Sequence, residues 1–284
     1  MKKIAFLTTA LTVFAAPAFP AAHSAAKMGY ALANDGSQLV VMSDLSALDG
    51  ATTVDLSSSL AAIAYRPVTG DLIGFSADGA VYGVNPETGE LTDMEAAFDD
   101  GAMVGGDAAV GFDFNNQIDA VRAVSTDGAN LVYFPMEFGD ERANTVKRFT
   151  DLFYVDGDAN AGTTPAVFAN AYTNAIPGAK ASETFQYAID AETDSLVTLA
   201  NNAGELTTVG KIMVDGAEVD VMPMGGFDIV SAEEGDNAAM AILTLAGMDN
   251  AGLYEIDLET GAATMMGDTG LTGVTGFAAA AAGM

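Results

Sequence analysis

One short phrase recurs along the chain and constrains its fold more than any other feature. It reads YGVNPETG at Tyr82–Gly89, YEIDLETG at Tyr254–Gly261 and YAIDAETD at Tyr187–Asp194. Each copy places an aromatic and an aliphatic residue on one face of a strand, and an Asn or Asp then begins a tight turn. The glycine that ends two copies accepts the positive φ of a bulged hairpin. The phrase therefore predicts a repeated β-hairpin.

Two further phrases recur in a consistent order with the first. One begins with Asp-Gly before a strand, at Asp35–Val40 (DGSQLV) and Asp127–Val132 (DGANLV). The other begins with Gly-Phe, at Gly111–Phe114 (GFDF), Gly226–Ile229 (GFDI) and Gly276–Ala278 (GFA). Asp-Gly before an apolar run is a strong hairpin signal. Three phrases in one order indicate a single supersecondary unit that is used several times.

The phrases divide the chain into four-stranded units at about Ser59–Glu95, Asp107–Thr150, Pro165–Ile212 and Gly225–Gly270. The preceding segment, Met28–Ser58, has three strand-like runs and lacks a leading one. The last segment, Leu271–Met284, begins like a leading strand and then stops. The two segments would complete each other as one further unit.

We therefore predict an all-β fold, a β-propeller with five blades, closed by pairing of the N-terminal and C-terminal segments in one blade. Such ring closure leaves no exposed sheet edge, and units of this length suit a blade. Six blades, a β-sandwich and a solenoid are the alternatives. Residues 27–284 are predicted to form this single propeller domain.

Residues 1–26 have the pattern of a secretory signal peptide. Lys2 and Lys3 precede the apolar run Ile4–Ala16, and small residues at Ala16–Ala18 and Ala22–Ser24 offer alternative cleavage positions. No later run is long enough to span a bilayer as a helix. We expect an exported protein, in the periplasm or outside the cell, without a membrane span.

The charge of the chain limits the partners it can bind. It has 39 acidic and 10 basic residues, a formal net charge of −29. Binding to nucleic acid is not expected, because neutralising phosphates needs clustered Lys and Arg. We predict a monomer that binds a protein or a glycan, and the acidity fits solvation in a salty medium.

The near absence of two residue types excludes several kinds of catalysis. The chain has no cysteine, and its one histidine, His23, lies in the predicted cleavage region. Ser-His-Asp and Cys-His catalysis and ordinary tetrahedral zinc sites are therefore not available to the mature protein. Any chemistry would depend on carboxylates, Tyr, Lys or a hard metal ion.

The loop sequence YVDGDANAGTTPAVF contains a candidate calcium site at Asp156, Asp158 and Asn160. Oxygen-bearing side chains at alternating positions are how many calcium loops begin. The loop is not an EF-hand, because Ala161 and Val167 occupy the positions of the required glycine and bidentate glutamate. The alternative is a turn in which Asp and Asn bond their own loop backbone.

The scarce basic residues and the adjacent acids are further candidate sites. A lone Arg122 within a strand pattern is expected to pair with neighbouring carboxylates. Arg142, Lys147 and Arg148 could grip an anionic glycan, or they could belong to a neutralised, solvated hairpin. The adjacent acids Asp99-Asp100 and Glu233-Glu234 are expected on the solvated surface, although a glycosidase would need a carboxylate pair.

The run GDANAGTTPAVFANAYTN (Gly157–Asn174), the segment Gly111–Val132 and the phrase at Tyr187–Asp194 resemble a bacterial family of exported proteins. That family is catalogued only as domain of unknown function 4394. The resemblance covers nearly the whole mature chain and implies a secreted, propeller-like β domain with no established activity.

The chain departs from this family at one position. The family tends to have an Asp before an aromatic–Arg–Pro phrase, and this chain has Ala64 there, whereas Asp113 and Asp228 keep the equivalent place in their own units. This difference favours a structural role for the aspartates, as acceptors for neighbouring donors, over a functional ring around a channel.

The function predicted from the sequence is that of an exported, non-catalytic binding or scaffold module. Recognition would use loops on one face of the ring, where several blades converge, and a calcium ion could support the structure. The alternative is a calcium-supported hydrolase or lactonase-like propeller that uses carboxylates around the central channel.

Overall fold

The computed structural model describes residues 27–281, whose strands lie in five sheets. Numbered along the chain, the strands are β1 (Lys27–Ala33), β2 (Gln38–Met42), β3 (Thr52–Asp55), β4 (Ala62–Tyr65), β5 (Leu72–Phe75), β6 (Val81–Val84), β7 (Leu91–Asp93), β8 (Ala97–Phe98), β9 (Val110–Asn115), β10 (Ala120–Ser125), β11 (Asn130–Phe134), β12 (Thr145–Arg148), β13 (Phe153–Tyr154), β14 (Val167–Tyr172), β15 (Gln186–Asp190), β16 (Ser195–Leu199), β17 (Glu205–Lys211), β18 (Met213–Val214), β19 (Ala217–Glu218), β20 (Val221–Ser231), β21 (Asn237–Leu245), β22 (Ala251–Ile256), β23 (Ala262–Leu271) and β24 (Gly276–Ala281). Single-turn 3-10 helices lie at Leu48–Gly50, Met136–Phe138 and Asn201–Ala203.

Each sheet is one blade of a ring. From the axis outwards, blade 1 is β24-β1-β2-β3, blade 2 is β4-β5-β6-β7, blade 3 is β9-β10-β11-β12, blade 4 is β14-β15-β16-β17 and blade 5 is β20-β21-β22-β23. The innermost strands contact one another in the cyclic order β24, β4, β9, β14, β20 and back to β24. The fold is a five-bladed β-propeller, which confirms the predicted class and blade number and excludes the sandwich and the solenoid.

Blade 1 contains both ends of the described chain. Strand β24 pairs antiparallel with β1, so that Ala279 lies opposite Gly29 and Gly276 lies opposite Leu32. The ring is thus closed by ordinary strand pairing. The predicted signal peptide, residues 1–26, lies outside the described residues. Within 27–281 no helix is long and apolar enough to cross a membrane.

Three of the connections between blades add a short parallel strand to an outer edge. Strand β8 pairs with β12, β13 pairs with β17, and β18 pairs with β23, each before the chain enters the blade that it covers. These additions cover outer edges that would otherwise expose unpaired backbone groups. Blade 5 also begins earlier than the sequence predicts, because a bulge between Val221 and Gly225 lets β20 continue pairing with β21.

The repeated phrase forms the same turn wherever it occurs with glycine. The side-chain oxygen of Asn85 accepts hydrogen bonds from the N–H groups of Glu87 and Thr88, and the N–H of Gly89 donates to the carbonyl of Asn85. The turn at Asp257 repeats all three contacts. Gly89 has φ +71°, and a Cβ there would lie 2.3 Å from a backbone oxygen of blade 1. Glycine is therefore required by conformation and by space.

The cores lie between neighbouring blades rather than within one sheet. Phe112 of blade 3, for example, packs against Phe75 of blade 2 with ring centroids 5.5 Å apart, and both are almost fully buried. Burial of each such side chain contributes roughly 1.5–3 kcal/mol. Aromatic and branched residues that alternate along the strands thus hold successive blades together.

Arg66 ties blade 2 to blade 3 by a buried ion pair with Asp119 and by a second ion pair with the exposed Glu137. Its Nε and Nη2 donate to the two carboxylate oxygens of Asp119, at 2.8 and 2.6 Å, and its Nη1 donates to Glu137 at 3.2 Å. Hydrogen bonding to Asp119 raises the pKa of Arg66 further above its ordinary value. Because the guanidinium is only 5% exposed, removal of Arg66 would leave a poorly solvated carboxylate without its partner.

Arg122 ties blade 3 to blade 4, and here the predicted carboxylate partner is wrong. Its Nε donates to the Tyr172 hydroxyl at 2.8 Å, and its Nη2 donates to the Asn202 amide oxygen at 2.8 Å. Its Nη1 donates to the amide oxygen of Asn130. Uncharged oxygens provide the acceptors because Arg122 extends over the face of blade 4, which presents the Tyr172 hydroxyl and the Asn202 amide there, while Asn130 belongs to blade 3 itself.

The connection between β14 and β15 crosses one end of the ring. We call residues 173–185 the strap. Its Gly178 N–H donates to the carbonyl of Pro67 in blade 2, and its Ala181 N–H donates to the carbonyl of Asn116 in blade 3. The N–H and hydroxyl of Ser182 both donate to Glu234 in blade 5. The strap therefore covers the end of the axis where the innermost strands finish.

Candidate functional site

A cavity of about 450 Å³ opens at the other end of the axis, where the innermost strands begin. We call it the axial bowl. Its walls come from the residues that lead into, or begin, the innermost strand of every blade, together with Asp35 and Ala77 from two hairpin turns; these leading residues are Ser59–Ala61, Gly106–Ala109, Phe168, Pro223–Gly225 and Val274–Thr275. All five blades thus contribute to one concave site.

Backbone hydrogen bonds between blades fix the wall of the bowl. The Asp35 N–H donates to the carbonyl of Gly273 at 2.9 Å, and the Leu60 N–H donates to the carbonyl of Gly36 at 3.0 Å. The Thr275 hydroxyl donates to the carbonyl of Leu60 at 3.1 Å. Blades 1 and 2 are therefore joined around the rim by hydrogen bonds.

The Asp-Gly turn of blade 3 supports the opposite part of the rim. The Gly105 N–H donates to the Asp127 carboxylate at 2.7 Å, and the Ala109 N–H donates to the Thr126 hydroxyl at 3.1 Å. This repeated turn thus closes a hairpin and also positions the segment that leads into β9.

The bowl has a closed floor because the innermost strands approach one another very closely. A Cβ on Gly111 would lie 2.6 Å from the Cα of Ala169, and a Cβ on Gly226 would lie 2.3 Å from the backbone nitrogen of Phe277. The cavity that remains on the axis below the bowl has a volume of only about 10 Å³. The glycines of the Gly-Phe phrase permit this contact, and the axis is not an open tunnel.

The bowl combines apolar walls with a few oxygen-bearing groups. Ala77, Pro223 and Met224 supply accessible apolar surface, and Ser59 and Thr275 supply hydroxyls. The lining residues Leu60, Phe168 and Val274 are buried. Asp35 and Asp107 bring carboxylates to the lining. No Lys or Arg belongs to the described lining. With a net charge of −29 on the whole chain, the bowl should disfavour anions.

Asp113 and Asp228 lie on the axis below the bowl, and each contacts the innermost strand of the next blade. The Tyr172 N–H donates to Asp113 Oδ2 at 2.7 Å, and the Ala279 N–H donates to Asp228 Oδ2 at 2.6 Å. An innermost strand has no strand on its axial side, so these N–H groups need another acceptor. The contacts bear out the predicted structural role of the two aspartates.

Burial changes the acidity of both axial carboxyls. Removal from water raises the pKa of Asp113 well above its usual value, and the nearby charge of Asp228 raises it further. Burial likewise raises the pKa of Asp228 to about 7, although hydrogen bonds from Ala279 and Ile229 act in the opposite direction. Both groups therefore hold a proton more tightly than an exposed aspartate does.

The calcium-loop candidates lie on blade 4, away from the bowl. Asp158 accepts hydrogen bonds from the Asn160 N–H at 2.8 Å and from the N–H and hydroxyl of Thr208 at 2.8 and 2.7 Å. The Asn160 side-chain amide also donates to the Thr208 hydroxyl, and Asp156 is exposed. The bond from the Asn160 N–H is a contact within the loop, as the turn interpretation predicts, and the bonds to Thr208 join the loop to β17. The calcium site stays a prediction.

The other charged candidates form local pairs. Arg142 pairs with Asp140 at 2.5 Å, Lys147 with Asp99 at 2.9 Å, and Arg148 with Asp151 at 2.7 Å. These three pairs agree with the neutralised hairpin rather than with an anion-binding cluster. Across residues 27–281, no group of three or more acidic or histidine side chains is arranged to hold a metal ion.

Sequence reasoning missed the residues that form the bowl. The sequence identifies Asp35 only as a turn residue, and no sequence pattern indicates that Asp107 and Ala77 line a cavity. It also missed Asn170 and Gln186, whose buried side-chain amides have no hydrogen-bond partner within residues 27–281. The position of Asn170 one residue before the Ala-Tyr-Thr-Asn segment gives no local sign of this, because it depends on how blades 3 and 4 meet.

The fold and the bowl define a five-bladed propeller with a concave site on its axis. The chain belongs to the family described as Domain of unknown function (DUF4394), whose sequence profile matches residues 40–278. This match confirms the family resemblance found in the sequence. No curated protein matches the sequence of this chain.

Three solved structures have a distant likeness to this fold. A structural genomics protein of unknown function from Bacteroides thetaiotaomicron VPI-5482 has a TM-score of 0.48 and 12% identity, with 80% of this chain and 52% of that chain covered. An auxiliary nutrient binding protein from the same organism has a TM-score of 0.44 and 13% identity, with 75% of this chain and 55% of that chain covered. The computationally designed Ika4 protein has a TM-score of 0.32 and 17% identity, with 72% of this chain and 97% of that chain covered. The chain spans about half the length of the first two, and likenesses this remote carry no functional argument.

Proposed function

We propose that the chain is an exported, non-catalytic binding module that takes a small neutral or positively charged ligand into the axial bowl. The observation that carries this proposal is the convergence of all five blades on one cavity of about 450 Å³. Small-molecule sites are typically concave, largely apolar and about 300–1,000 Å³ in volume. The bowl has these properties, and its wall is held by hydrogen bonds between blades.

The chemistry of the bowl supports this ligand class. Apolar side chains would contact the body of the ligand, and the Ser59 and Thr275 oxygens could orient its polar groups. The carboxylates of Asp35 and Asp107 would favour a positive group over a negative one. This ligand class is more restricted than the protein or glycan partner expected from the sequence. A side chain or sugar that protrudes from such a partner belongs to the same class.

The hydrolase alternative is less well supported by this geometry. It needs several carboxylates that converge on a substrate, and the described bowl lining contains two, Asp35 and Asp107. The axial carboxylates of Asp113 and Asp228 do not belong to that lining and are occupied by backbone N–H groups. We therefore favour binding without catalysis.

A blocked bowl tests the binding proposal. Ala77 is an exposed turn residue of the lining, so Ala77→Trp would fill the bowl without disturbing a core. Ligand-observed NMR with a set of small neutral and cationic compounds should detect binding to the wild type that Ala77→Trp abolishes. Ala217→Trp, at an exposed position outside the lining, is the matched control and should retain binding. Hits that survive Ala77→Trp would contradict the proposal.

Export, the monomeric state and the calcium ion remain parts of the proposal with their own tests. Mass spectrometry of the protein from the periplasm and the medium should show a mature N-terminus that begins after Ala18 or after Ser24. Light scattering should give the mass of a monomer. Calcium bound at Asp156, Asp158 and Asn160 should raise Tm relative to chelator, and Asp158→Ala should abolish that rise. A wild-type Tm that is the same in calcium and in chelator would contradict the proposed calcium site.

A further inference from the structure

Three of the five blades have an additional strand on their outer edge, and two do not. The sheets of blades 3, 4 and 5 end on β8, on β13 and on the pair β18–β19, whereas those of blades 1 and 2 end on β3 and β7. An uncovered outermost strand presents backbone N–H and C=O groups with which another chain can pair. The difference between covered and uncovered blades therefore marks a candidate interaction surface.

The strands that cover blades 3, 4 and 5 have a common chemistry. Each is a short segment with one or two large apolar side chains that pairs parallel with the first residues of the outermost strand; the segments are Ala97–Phe98, Phe153–Tyr154 and Met213–Val214. In blade 3 the N–H groups of Ala97 and Asp99 donate to the carbonyls of Asn144 and Val146, both at 2.9 Å. Because the direction of the N–H groups alternates along a strand, the N–H of Phe98 points away from this sheet.

Blade 2 has the same turn that receives the covering strand in blade 5. Gly89 of blade 2 and Gly261 of blade 5 end the same repeated phrase, and both have positive φ. A Cβ on Gly261 would lie 2.7 Å from the carbonyl oxygen of Lys211 in the preceding blade, and a Cβ on Gly89 would lie 2.3 Å from that of Asp55. In blade 5 the chain continues from Lys211 to Met213, whose N–H donates to the Gly261 carbonyl. Blade 2 therefore has an equivalent place for a covering strand.

The connection that could occupy this place is held by blade 1 instead. It comprises residues 56–61, and Ser57–Ser58 stand where the covered blades have their apolar pair. The N–H groups of Leu56 and Leu60, on either side of the serines, donate to carbonyls of the turn between β1 and β2 at 2.9 and 3.0 Å. The edge of blade 2 stays uncovered because this short connection is tied elsewhere and lacks large apolar side chains.

We call residues 89–93 the open edge. The Glu90 carbonyl accepts the N–H of Asn85 within blade 2. Since inward and outward groups alternate along an antiparallel strand, the backbone groups of Leu91 and Asp93 point away from β6. The Leu91 side chain is half-buried at the border of the core between blades 1 and 2. The open edge thus offers backbone donors, backbone acceptors and a small apolar surface.

The charge of the open edge selects the partner. Glu87, Glu90 and Asp93 are exposed, and in the part of the chain that the structure describes none of them forms an ion pair. In blade 3 the outermost strand has the opposite charge, and its Lys147 pairs at 2.9 Å with Asp99, the residue after the covering strand. A segment that pairs with blade 2 should therefore have Lys or Arg at that position. A second copy of this chain is disfavoured, because two acidic edges would meet.

We propose that the open edge binds an extended segment of a partner protein, which adds to blade 2 as a parallel fifth strand and has two apolar residues followed by Lys or Arg. Its alternate N–H groups donate to the carbonyls of Gly89 and Leu91, and its basic residues lie beside Glu90 and Asp93. Strand addition of this kind obtains affinity from main-chain hydrogen bonds and specificity from side chains. The surface is on the outside of the ring and is independent of ligand binding in the bowl.

Peptides based on β8 test the proposal. The segment Ala96–Asp100 reads AAFDD, so acetyl-AAFDDG-amide and acetyl-AAFKKG-amide share its apolar residues and differ in charge. In an NMR titration of the isotope-labelled protein, the lysine peptide should shift the amide signals of Leu91 and Asp93 in a saturable way, and less so as salt is added. The acidic peptide should not. No binding of the lysine peptide, or shifts confined to other regions, would contradict the proposal.

Methylation of the peptide backbone distinguishes strand addition from attraction by charge alone. The phenylalanine of the peptide corresponds to Phe98, and its first lysine corresponds to Asp99, whose N–H donates to the sheet in blade 3. A methyl group on the backbone nitrogen of that lysine should abolish binding. A methyl group on the nitrogen of the phenylalanine should leave binding intact, and equal effects of the two methyl groups would overturn strand addition.

Charge reversal locates the binding surface. Glu90 and Glu205 have equivalent positions in blades 2 and 4 and are both exposed, but β13 covers the edge of blade 4. The double variant Glu90→Lys, Asp93→Lys should weaken binding of the lysine peptide by at least about tenfold and should allow the acidic peptide to bind. Glu205→Lys is the matched control and should change neither. An equal loss in the control would contradict the assignment to blade 2.

Light scattering at increasing protein concentration examines the other occupant of the open edge. A monomer at every concentration, together with binding of the lysine peptide, supports the proposal. A dimer whose formation shifts the signals of Leu91 and Asp93 without any peptide would mean that a second copy covers this edge, and the proposal would be wrong.

Discussion

The two ends of the propeller axis differ although the same five innermost strands run between them. At one end, the leading segments stop at the rim and leave a bowl of about 450 Å³. At the other end, the strap crosses to blades 2, 3 and 5 and leaves a cavity of about 10 Å³. The repeated blades thus provide a symmetric frame, and one longer connection determines which end of the axis stays open.

The acidic residues near the two ends differ in the same way. Asp35 and Asp107 at the open end are exposed to solvent. Asp113 and Asp228 lie deeper and are buried. An exposed carboxylate can attract a ligand at little cost in stability, whereas a buried one needs a compensating partner. We therefore expect substitutions near the sealed end to alter folding and substitutions at the open end to alter binding.

The largest loss of stability is expected for Arg66→Met, close to the strap. This substitution leaves Asp119 buried without its cation, which should lower the free energy of unfolding by about 3–5 kcal/mol. Urea denaturation followed by circular dichroism measures the loss. Arg142→Met breaks an exposed pair and should cost much less. Equal losses in the two variants would contradict the importance assigned to the buried pair.

The pH dependence of stability is expected to reveal Asp228. Burial raises the pKa of Asp228 to about 7 in the folded protein. The contribution of this group to the free energy of unfolding is therefore complete below pH about 4 and is lost as the pH rises through 7. The difference amounts to at most roughly 4 kcal/mol. Denaturation in choline chloride should therefore show falling stability between pH 5 and pH 8.

Asp228→Asn separates this contribution from the general repulsion among surface carboxylates. The variant cannot ionise at position 228, so its stability should fall less steeply over the same pH range. Identical slopes for the variant and the wild type would show that Asp228 does not titrate as its burial implies.

A smaller, local effect is expected for Asn174→Ala in the strap. The Asn174 side chain accepts a hydrogen bond from the Gly235 N–H and donates to the carbonyl of Glu183, and the residue has φ +61°. Loss of both bonds should cost about 1–3 kcal/mol. Hydrogen exchange should quicken in the strap and leave the rim of the bowl unchanged, whereas uniform quickening would argue against an independent strap.

The smallest change in stability is expected for Asp107→Asn at the open end. The side chain is exposed, so unfolding should change by no more than about 0.5 kcal/mol. A cationic compound bound in the bowl should nevertheless lose affinity, by roughly fivefold if the interaction contributes about 1 kcal/mol. Affinities of neutral compounds, measured by calorimetry, should stay constant; a parallel loss would indicate a change of shape instead.

The sequence predicted the parts of the fold that depend on local chemistry. The turns at Asn85 and Asp257 follow from residues that bond their own backbone, and the phrases GFDF, GFDI and GFA mark the innermost strands of blades 3, 5 and 1. Repetition of these signals was sufficient for the blade number. It also indicated the structural role of Asp113 and Asp228, because Ala64 breaks the pattern of a complete ring.

The site could not be predicted because it depends on contacts between distant segments. The bowl combines Asp35, Ala77 and Thr275, which have no common motif and meet only after the ring closes. The acceptors of Arg122 depend on which face of blade 4 lies beside blade 3. The sequence of the strap resembles that of an ordinary connection. Its hydrogen bonds are made to other blades and therefore leave no local signal.

NMR chemical-shift mapping with a bound compound tests the difference between the two ends most directly. A small cationic or neutral compound that binds the wild type should shift backbone signals of the leading segments in all five blades, including those around Leu60, Ala108 and Thr275. Signals of the strap should not move. Shifts that cluster on the strap, or on a single blade, would contradict the axial bowl as the binding site.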